Sequence, residues 1–242
     1  MTTCIIPMAG AGRRFVQAGH LLPKYALRAR GRPLLAWALA SLPLPQFDRV
    51  VLVAQRDAVA AADPLSLLDR ETASRVTEIV LLDGLTGGQA DTVCAARHAI
   101  DERPLVVFNC DTHFQSPTLA ARLADRDADD DGLIGSFAGA GSHWSFARVD
   151  AQGRVLETAE KRRISEHCLT GLYHFRRGSD FLLACDNPVP EAGETYVAPL
   201  YNPLIARGRC FRLDVVSHFV PLGTPAELAA CEATAEGVAC AA

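Results

Sequence analysis

The chain has 242 residues, 49% of them hydrophobic, enough to bury a sizeable core in one large α/β domain or two small ones. A net charge of −4 leaves no global basic field for a nucleic acid, and no stretch approaches the roughly 20 apolar residues of a membrane span, so neither is an expected partner. Eight scattered cysteines form no C-x-x-C pair, and Met1-Thr2-Thr3 lacks a basic n-region, so the expectation is reduced thiols in a cytoplasmic protein.

Cys4 to Met8 form an apolar run, and residues 3–8 are predicted as a short buried strand. Ala9-Gly10-Ala11-Gly12 then forces a tight turn, followed at once by Arg13 and Arg14 and, after more loop, by Pro23-Lys24. Glycines let the backbone approach a bulky anion with its amides unblocked. Guanidinium groups bind phosphate oxygens with two-pronged geometry. Residues 9–24 therefore read as a polyphosphate pocket at the end of the first strand. A helix is predicted over 33–42, with Pro33 in its first turn, and a fully buried strand over 48–54. Next come a helix over 63–74, a strand over 78–82, a turn over 83–88 and a helix over 89–100. A strand over 104–111 ends on the carboxylate of Asp111. This alternation predicts a mostly parallel sheet with helices on both faces. In such sheets ligands bind beyond the carboxyl ends of the strands, where 10–24, 83–89 and 111 all fall.

The acidic run 125–131 reads as a solvated helix end or loop. A cation site would need more ordered spacing. Short strands follow over 132–137, 144–149 and 155–158, with a hairpin turn at 150–153. Then come a strand over 170–175, a helix over 179–185 and a loop over 188–193. A helix over 194–207 is interrupted by Pro199 and Pro203. A strand over 211–215 and a closing helix over 225–237 complete the chain. With no internal repeat or linker, the second half reads as a substrate-covering extension of the same sheet.

A G-x-G after a strand could open a dinucleotide turn, but Phe15 stands where the third glycine belongs, and Gly19 and Pro23 keep the segment looped. Asp111 at a strand's end suits either a hard cation bridging phosphates or a helix N-cap. His113 would share its face in an extended segment, as an assisting group or as a plain surface histidine.

Ala9-Gly10-Ala11-Gly12-Arg13-Arg14-Phe15 with Pro23-Lys24 resembles the signature of the sugar-phosphate nucleotidyltransferases, A-G-x-G-x-R-(L/F/M) followed by P-K. Asp83 to Ala90, Glu160-Lys161, Thr170-Gly171-Leu172-Tyr173 and Glu194-Thr195-Tyr196-Val197 support it. The resemblance implies a three-layer α/β/α sandwich with a mixed, mostly parallel sheet. It implies transfer of a nucleoside monophosphate from an NTP to a small phosphorylated acceptor, a sugar 1-phosphate above all. Pyrophosphate is released, Mg²⁺ sits on Asp111, and the product serves activated-sugar and surface polysaccharide synthesis.

In that reading Ala9, Gly10, Ala11, Gly12 and Arg13 wrap the NTP, Arg13 being equally readable as a solvated charge. Arg14 contacts the β- and γ-phosphates, and Lys24 stabilises the α-phosphate under attack. Asp83, Gly84, Gly88 and Gln89 read the base edge. Glu160 accepts hydrogen bonds from acceptor hydroxyls, Lys161 holds the acceptor phosphate, and Thr170 and Gly171 allow close approach. Glu194, Tyr196 and Asn202 line the acceptor pocket. Arg162 and Arg163 either add charge there or are solvated.

One domain then spans 1–242, with a nucleotide-binding half over 1–125 and an acceptor-binding half over 126–242; a homodimer stays open. The chain departs from the pattern at Leu222-Gly223-Thr224, where the family's D-x-G-T aspartate is missing. Asp214, His218 or Glu194 could substitute; otherwise one carboxylate and the phosphates hold the ion. Two alternatives are a glycosyltransferase using Asp111-Thr112-His113 as a variant D-x-D motif with an NDP-sugar, and a non-catalytic ligand sensor.

Overall fold

Strands apolar at nearly every position have no face for water and must be covered on both sides. The structure, a computed structural model, describes residues 1–125, 127–186 and 193–233. Its strands are β1 (Thr3–Pro7), β2 (Arg28–Ala29), β3 (Arg32–Pro33), β4 (Arg49–Gln55), β5 (Glu78–Leu82), β6 (Leu105–Phe108) and β7 (Thr112–Gln115). They continue as β8 (Gly132–Ala138), β9 (Ser145–Val149), β10 (Val155–Glu160), β11 (His167–Phe175), β12 (Phe211–Val215) and β13 (His218–Pro221). The main sheet has nine strands, running β5-β4-β1-β6-β11 and then dividing into β9-β10 and β8-β12. Strands β5, β4, β1 and β6 are parallel. Strand β11 is antiparallel to β6, β8 and β9, and β12 is parallel to β8, so the sheet is mixed. Leu172–Phe175 of β11 pair with β6, His167 and Cys168 pair with β9, and β8 pairs along β11 from His167 to Tyr173, which joins the two halves of the chain in one sheet.

Alternation along the strands fills both faces. Ile5, Val51, Val53, Leu105 and Val107 pack on one side against Val93, Phe181 and Tyr201 from helices Gln89–Cys94, Gly178–Cys185 and Tyr201–Ala206. Cys4, Ile6, Val50, Leu52, Val106 and Phe108 pack on the other against Leu35 and Leu123 from helices Leu34–Leu39 and Leu119–Ala124. Three layers result. A small satellite core of Phe15, Leu27, Leu34, Trp37, Leu222 and Leu228 sits beside them.

Several elements differ from expectation for local reasons. The strand expected to reach 111 stops at Phe108, because the next residues leave the sheet and β7 pairs instead with β13. In place of one helix over 63–74, there are helices Arg56–Ala61 and Arg70–Arg75, the second capped by the Asp69 side chain accepting from Thr72 N. The loop 9–24 contains a short helix, Arg13–Gln17. Residues 194–197 are not helical; a 3₁₀ turn at Ala198–Leu200 precedes the helix Tyr201–Ala206. The acidic run is not simply solvated. Asp130 is buried and paired with Arg176 at 2.9 Å, and Asp131 pairs with Arg209 at 3.3 Å. Residue 126, residues 187–192, which hold most of the expected loop, and residues 234–242 lie outside the described residues. The closing helix is described as Pro225–Ala233. Among the described residues no helix is long and apolar enough to cross a membrane.

Candidate active site

The carboxyl ends of β1 and β6 open onto a cavity of about 470 Å³. One wall is the glycine loop. Gly12 adopts φ 59°, a left-handed conformation that turns the chain into helix Arg13–Gln17 and that glycine reaches without steric cost. The backbone amides of Gly10, Ala11 and Gly12 donate to no acceptor among the described residues. The Ala9 carbonyl accepts from Gln55 Nε2 at 2.6 Å, which pins the loop to the end of β4. Phe15 explains why a third glycine is absent: it is 2% exposed and anchors the loop in the satellite core against Leu222 and Leu228. Arg13 and Arg14 both line the cavity.

Lys24 follows on a 3₁₀ turn whose next residue, Tyr25, is buried and donates its hydroxyl to the carbonyls of Ala58 at 2.8 Å and Ala62 at 2.7 Å. Burial, with the Asp63 charge second, pushes the Tyr25 pKa up to about 12, so the phenol keeps the proton it donates. Lys24 Nζ is ion-paired with Asp111 Oδ2. Burial alone would lower the Lys24 pKa, but the Asp111 carboxylate outweighs it and holds the ammonium above the ordinary lysine value. Asp111 is 14% exposed and lines the same cavity as Arg14 and Lys24.

On a second wall, Gln89 donates from Nε2 to Asn109 Oδ1 at 2.5 Å, and both residues line the cavity with Gly88. Thr86 and Thr92 hydroxyls both donate to the Gly88 carbonyl at 3.0 Å. Thr195 N donates to the Gly87 carbonyl and Ala90 N to the Thr195 carbonyl, both at 3.0 Å, so this loop is stitched to the segment that carries Glu194 and Tyr196. A methyl at Gly88 would sit 2.8 Å from the Thr195 carbonyl carbon; close backbone approach is what that glycine permits. Asp83 and Gly84 are not brought to the cavity. Asp83 is 82% exposed and takes Arg56 Nε at 2.8 Å.

The third wall holds a relay. Lys161 Nζ donates to Tyr196 Oη at 2.6 Å while lying 4.5 Å above its ring centroid, and Tyr196 Oη donates to Glu194 Oε2 at 2.6 Å. Burial would lower the Lys161 pKa, but the Tyr196 hydroxyl with the nearby Glu160 and Glu194 carboxylates raises it overall. Lys161 has φ 51°, a strained value for a residue with a side chain, of the kind found where position matters more than comfort. Arg162 and Arg163 are occupied by Glu157 at 2.8 Å and Glu166 at 2.7 Å.

Four residues expected on the acceptor side do not line the cavity. Glu160 accepts from Ser145. Thr170 is buried, and its hydroxyl accepts from Leu172 N at 3.3 Å. Asn202 braces β10, accepting from Thr158 N and donating to Thr158 O, both at 2.8 Å. Gly171 makes room for Asn109: a methyl there would lie 2.5 Å from Asn109 Cγ. His113 is no surface group. It is 5% exposed, with Nδ1 3.0 Å from the Trp37 carbonyl and 3.0 Å from Ser41 Oγ, and burial lowers its pKa. Of the substitutes for the missing aspartate, Asp214 is fully buried and accepts from Ser116 at 2.6 Å and Thr118 at 2.7 Å. His218 lies in β13 opposite Gln115. Only Glu194 reaches the cavity.

Asn109 and Gly223 are cavity residues that the sequence reading passed over. Asn109 stood inside a quoted motif beside Asp111, and its partner Gln89 is 20 residues away, which no local pattern reveals.

Cationic side chains facing a glycine loop at the carboxyl edge of a mixed sheet define a polyphosphate-handling α/β transferase. The chain belongs to the MobA-like NTP transferase domain family, whose model matches residues 4–211, and it is a nucleotidyltransferase. It is similar to the solved nucleoside-diphosphate-sugar pyrophosphorylase from Vibrio cholerae RC9, at 31% identity and a TM-score of 0.79, covering 95% of this chain and 99% of that one. A candidate glucose-1-phosphate thymidylyltransferase from Bacillus anthracis, solved with sucrose, shares the fold at a TM-score of 0.81 and 18% identity, covering 100% of this chain and 98% of that one. A UDP-glucose pyrophosphorylase solved with UDP-glucose does so at 0.78 and 15%, covering 96% and 97%. Comparison with curated proteins gives no match.

Proposed function

We propose that the protein moves a nucleoside monophosphate from an NTP onto a small phosphorylated acceptor, a sugar 1-phosphate, and releases pyrophosphate. The observation that carries this reading is the placement of Arg14, Lys24, Asp111 and Lys161, from four separate segments, on one cavity. An acceptor phosphate oxygen attacks the α-phosphorus in line while pyrophosphate leaves opposite. Attacker and target are both anionic, so the protein's work is alignment and charge neutralisation. The amides of Gly10, Ala11 and Gly12 receive the phosphates, and Arg14 steadies the leaving group. Lys24 takes the charge developing at the α-phosphate, and Lys161 holds the acceptor phosphate. Gly88 and Gln89 meet the base, with Leu85, 57% exposed on the same cavity, as an apolar neighbour. Glu194 and Tyr196 face the acceptor. The nucleotide half is 1–125 and the acceptor half 126–242.

The donor set fits Mg²⁺. Asp111 offers a hard carboxylate at the cavity, and Gly223 leaves a gap beside it that a methyl would fill at 2.8 Å from Oδ2. When bound there, the ion would offset phosphate charge. Cys4, Cys94, Cys110, Cys168, Cys185 and Cys210 are free thiols, which supports a reducing, cytoplasmic setting. The product class, an activated sugar, is what assembly of a surface polysaccharide consumes.

Pyrophosphate release is the test, with each NTP set against a panel of sugar phosphates, other phosphorylated small molecules and no acceptor. Acceptor-dependent release with one NTP supports the proposal. Release of NDP from an NDP-sugar in its place would move the protein to the glycosyltransferases. Tight nucleotide binding with no turnover on any acceptor would make it a sensor.

A further inference from the structure

Two helices that cover the same face of the sheet each end on a cysteine: Gln89–Cys94 and Gly178–Cys185. They pack on each other, sharing the core that holds Val93, Phe181 and Ala184, and both cysteines border that core. Just past them, Arg97 Nη2 lies 3.8 Å from Asp186 Oδ1, so an ion pair joins the same two helix ends at the surface. Beside it the Cys185 thiol donates a hydrogen bond to the Cys94 sulfur. Neither residue is sealed from solvent. Both are half-buried, whereas Cys4, Cys110 and Cys168 are buried. A disulfide needs two sulfurs that face each other across a short Cβ separation, and thiols in a mutual hydrogen bond already face each other.

The pair is asymmetric. The hydrogen bond from Cys185 is the largest influence on Cys94 and holds its pKa below the ordinary thiol value against the opposing effect of burial, with the Arg97 charge assisting. The same bond, together with burial, raises the pKa of Cys185. Burial also raises those of Cys4, Cys110, Cys168 and Cys210. The thiolate is the form that reacts with oxidants, so Cys94 is the sulfur to react first, and Cys185 stands beside it as the resolving thiol.

We propose that Cys94 and Cys185 are a redox pair that hydrogen peroxide closes to a disulfide, fastening the helix that brings Gln89 to the cavity onto its neighbour. The Cys94 sulfur attacks one peroxide oxygen; the O–O bond breaks, the other oxygen leaves as water, and Cys94 becomes a sulfenic acid. The Cys185 sulfur then attacks the Cys94 sulfur; the S–O bond breaks, and a second water leaves with the Cys185 proton. Peroxide gains the two electrons that the two thiols lose. Thiol reductants reverse the step, so under reducing conditions the pair rests as the dithiol. The bond closes a loop of about 90 residues, long enough to restrict the unfolded chain strongly.

The full chain, reduced and then freed of reductant, is treated with a few equivalents of hydrogen peroxide and digested without reduction for mass spectrometry. The wild type is expected to yield a peptide cross-linked between Cys94 and Cys185, to lose two thiols and to recover both with dithiothreitol. Cys210→Ser, which alters a half-buried thiol elsewhere, should match the wild type, and Cys94→Ser and Cys185→Ser should give no such link. In Cys185→Ser, dimedone should trap Cys94 as its sulfenic acid. Oxidation should raise the wild-type Tm by about 5 °C and leave that of Cys185→Ser unchanged. An oxidised wild type without the link, its Cys94 untouched, overoxidised or joined to another cysteine, overturns the proposal, and that result needs no variant to fold. So does a link that leaves Tm unchanged or lower, because the helices would then have to move to make it.

Discussion

Gly171→Ala distinguishes the substrate that this glycine serves. Gly171 lies in β11 at φ +86°, and a methyl there would lie 2.5 Å from Asn109 Cγ. Left-handed backbone costs an alanine on the order of 1 kcal/mol. Pushing the Asn109 amide aside also breaks the hydrogen bond from Gln89 Nε2, about another 1 kcal/mol. In a chain of this size each kcal/mol lowers Tm by about 2–4 °C, so scanning calorimetry should show a fall of about 4–8 °C. Asn109 and Gln89 stand beside Gly88 on the wall proposed to meet the base. The same lost contact should therefore raise KM for the NTP about fivefold and leave KM for the acceptor within about twofold. Steady-state kinetics with each substrate varied in turn decides it. A raised acceptor KM beside an unchanged NTP KM would refute the reasoning and put Gly171 against the acceptor, as the sequence motif suggested.

Lys24→Met removes the cation that faces both Asp111 and the proposed α-phosphate; kcat for pyrophosphate release should fall about 100-fold, and wild-type turnover would take Lys24 out of the mechanism. Asp214→Asn takes from Arg122 the nearer of two buried carboxylates, 3.3 Å away against 4.0 Å for Asp130, and should cost about 2 kcal/mol in urea denaturation, with Mn²⁺ binding unchanged. Weakened Mn²⁺ binding at full stability would instead make Asp214 a ligand. Burial lowers the His113 pKa in the folded state, so below about pH 6.5 the unfolded chain binds a proton that the folded one does not. Stability should therefore fall as pH drops from about 6.5 toward the depressed folded value, with no such contribution above it. His113→Gln should flatten the slope by up to about 1.4 kcal/mol per pH unit, and an unchanged slope would show that His113 does not titrate on unfolding.

The sheet was legible because its signal is local. Strands at 78–82 and 211–215 coincide with Glu78–Leu82 and Phe211–Val215, since the apolar run Ile79 to Leu82 and the alternation of Phe211, Leu213 and Val215 with Arg212 and Asp214 are both strand patterns carried by neighbouring residues. The glycine loop was legible for the same reason: its turn, its arginines and its lysine lie within sixteen residues of chain. Residues whose meaning depends on a distant partner were not. Asn202 has the composition of a substrate contact, yet its amide braces Thr158, 44 residues away. Phe15 looked like a flaw in a glycine motif and is the anchor that holds the loop against Leu222 and Leu228.

Taken by itself, the amino-acid order determined the class of sheet, the glycine loop and the family signature, because each follows from periodicity and turn chemistry over a few neighbouring residues. Tertiary structure alone decided which polar side chains face the cavity and which brace the protein. It set Arg14, Lys24, Asp111 and Lys161 on one cavity and sealed Asp214 and His113 away. The reason is that a carboxylate or an amide can be satisfied by protein or by substrate equally well, and only packing between segments remote in sequence settles which partner comes within reach.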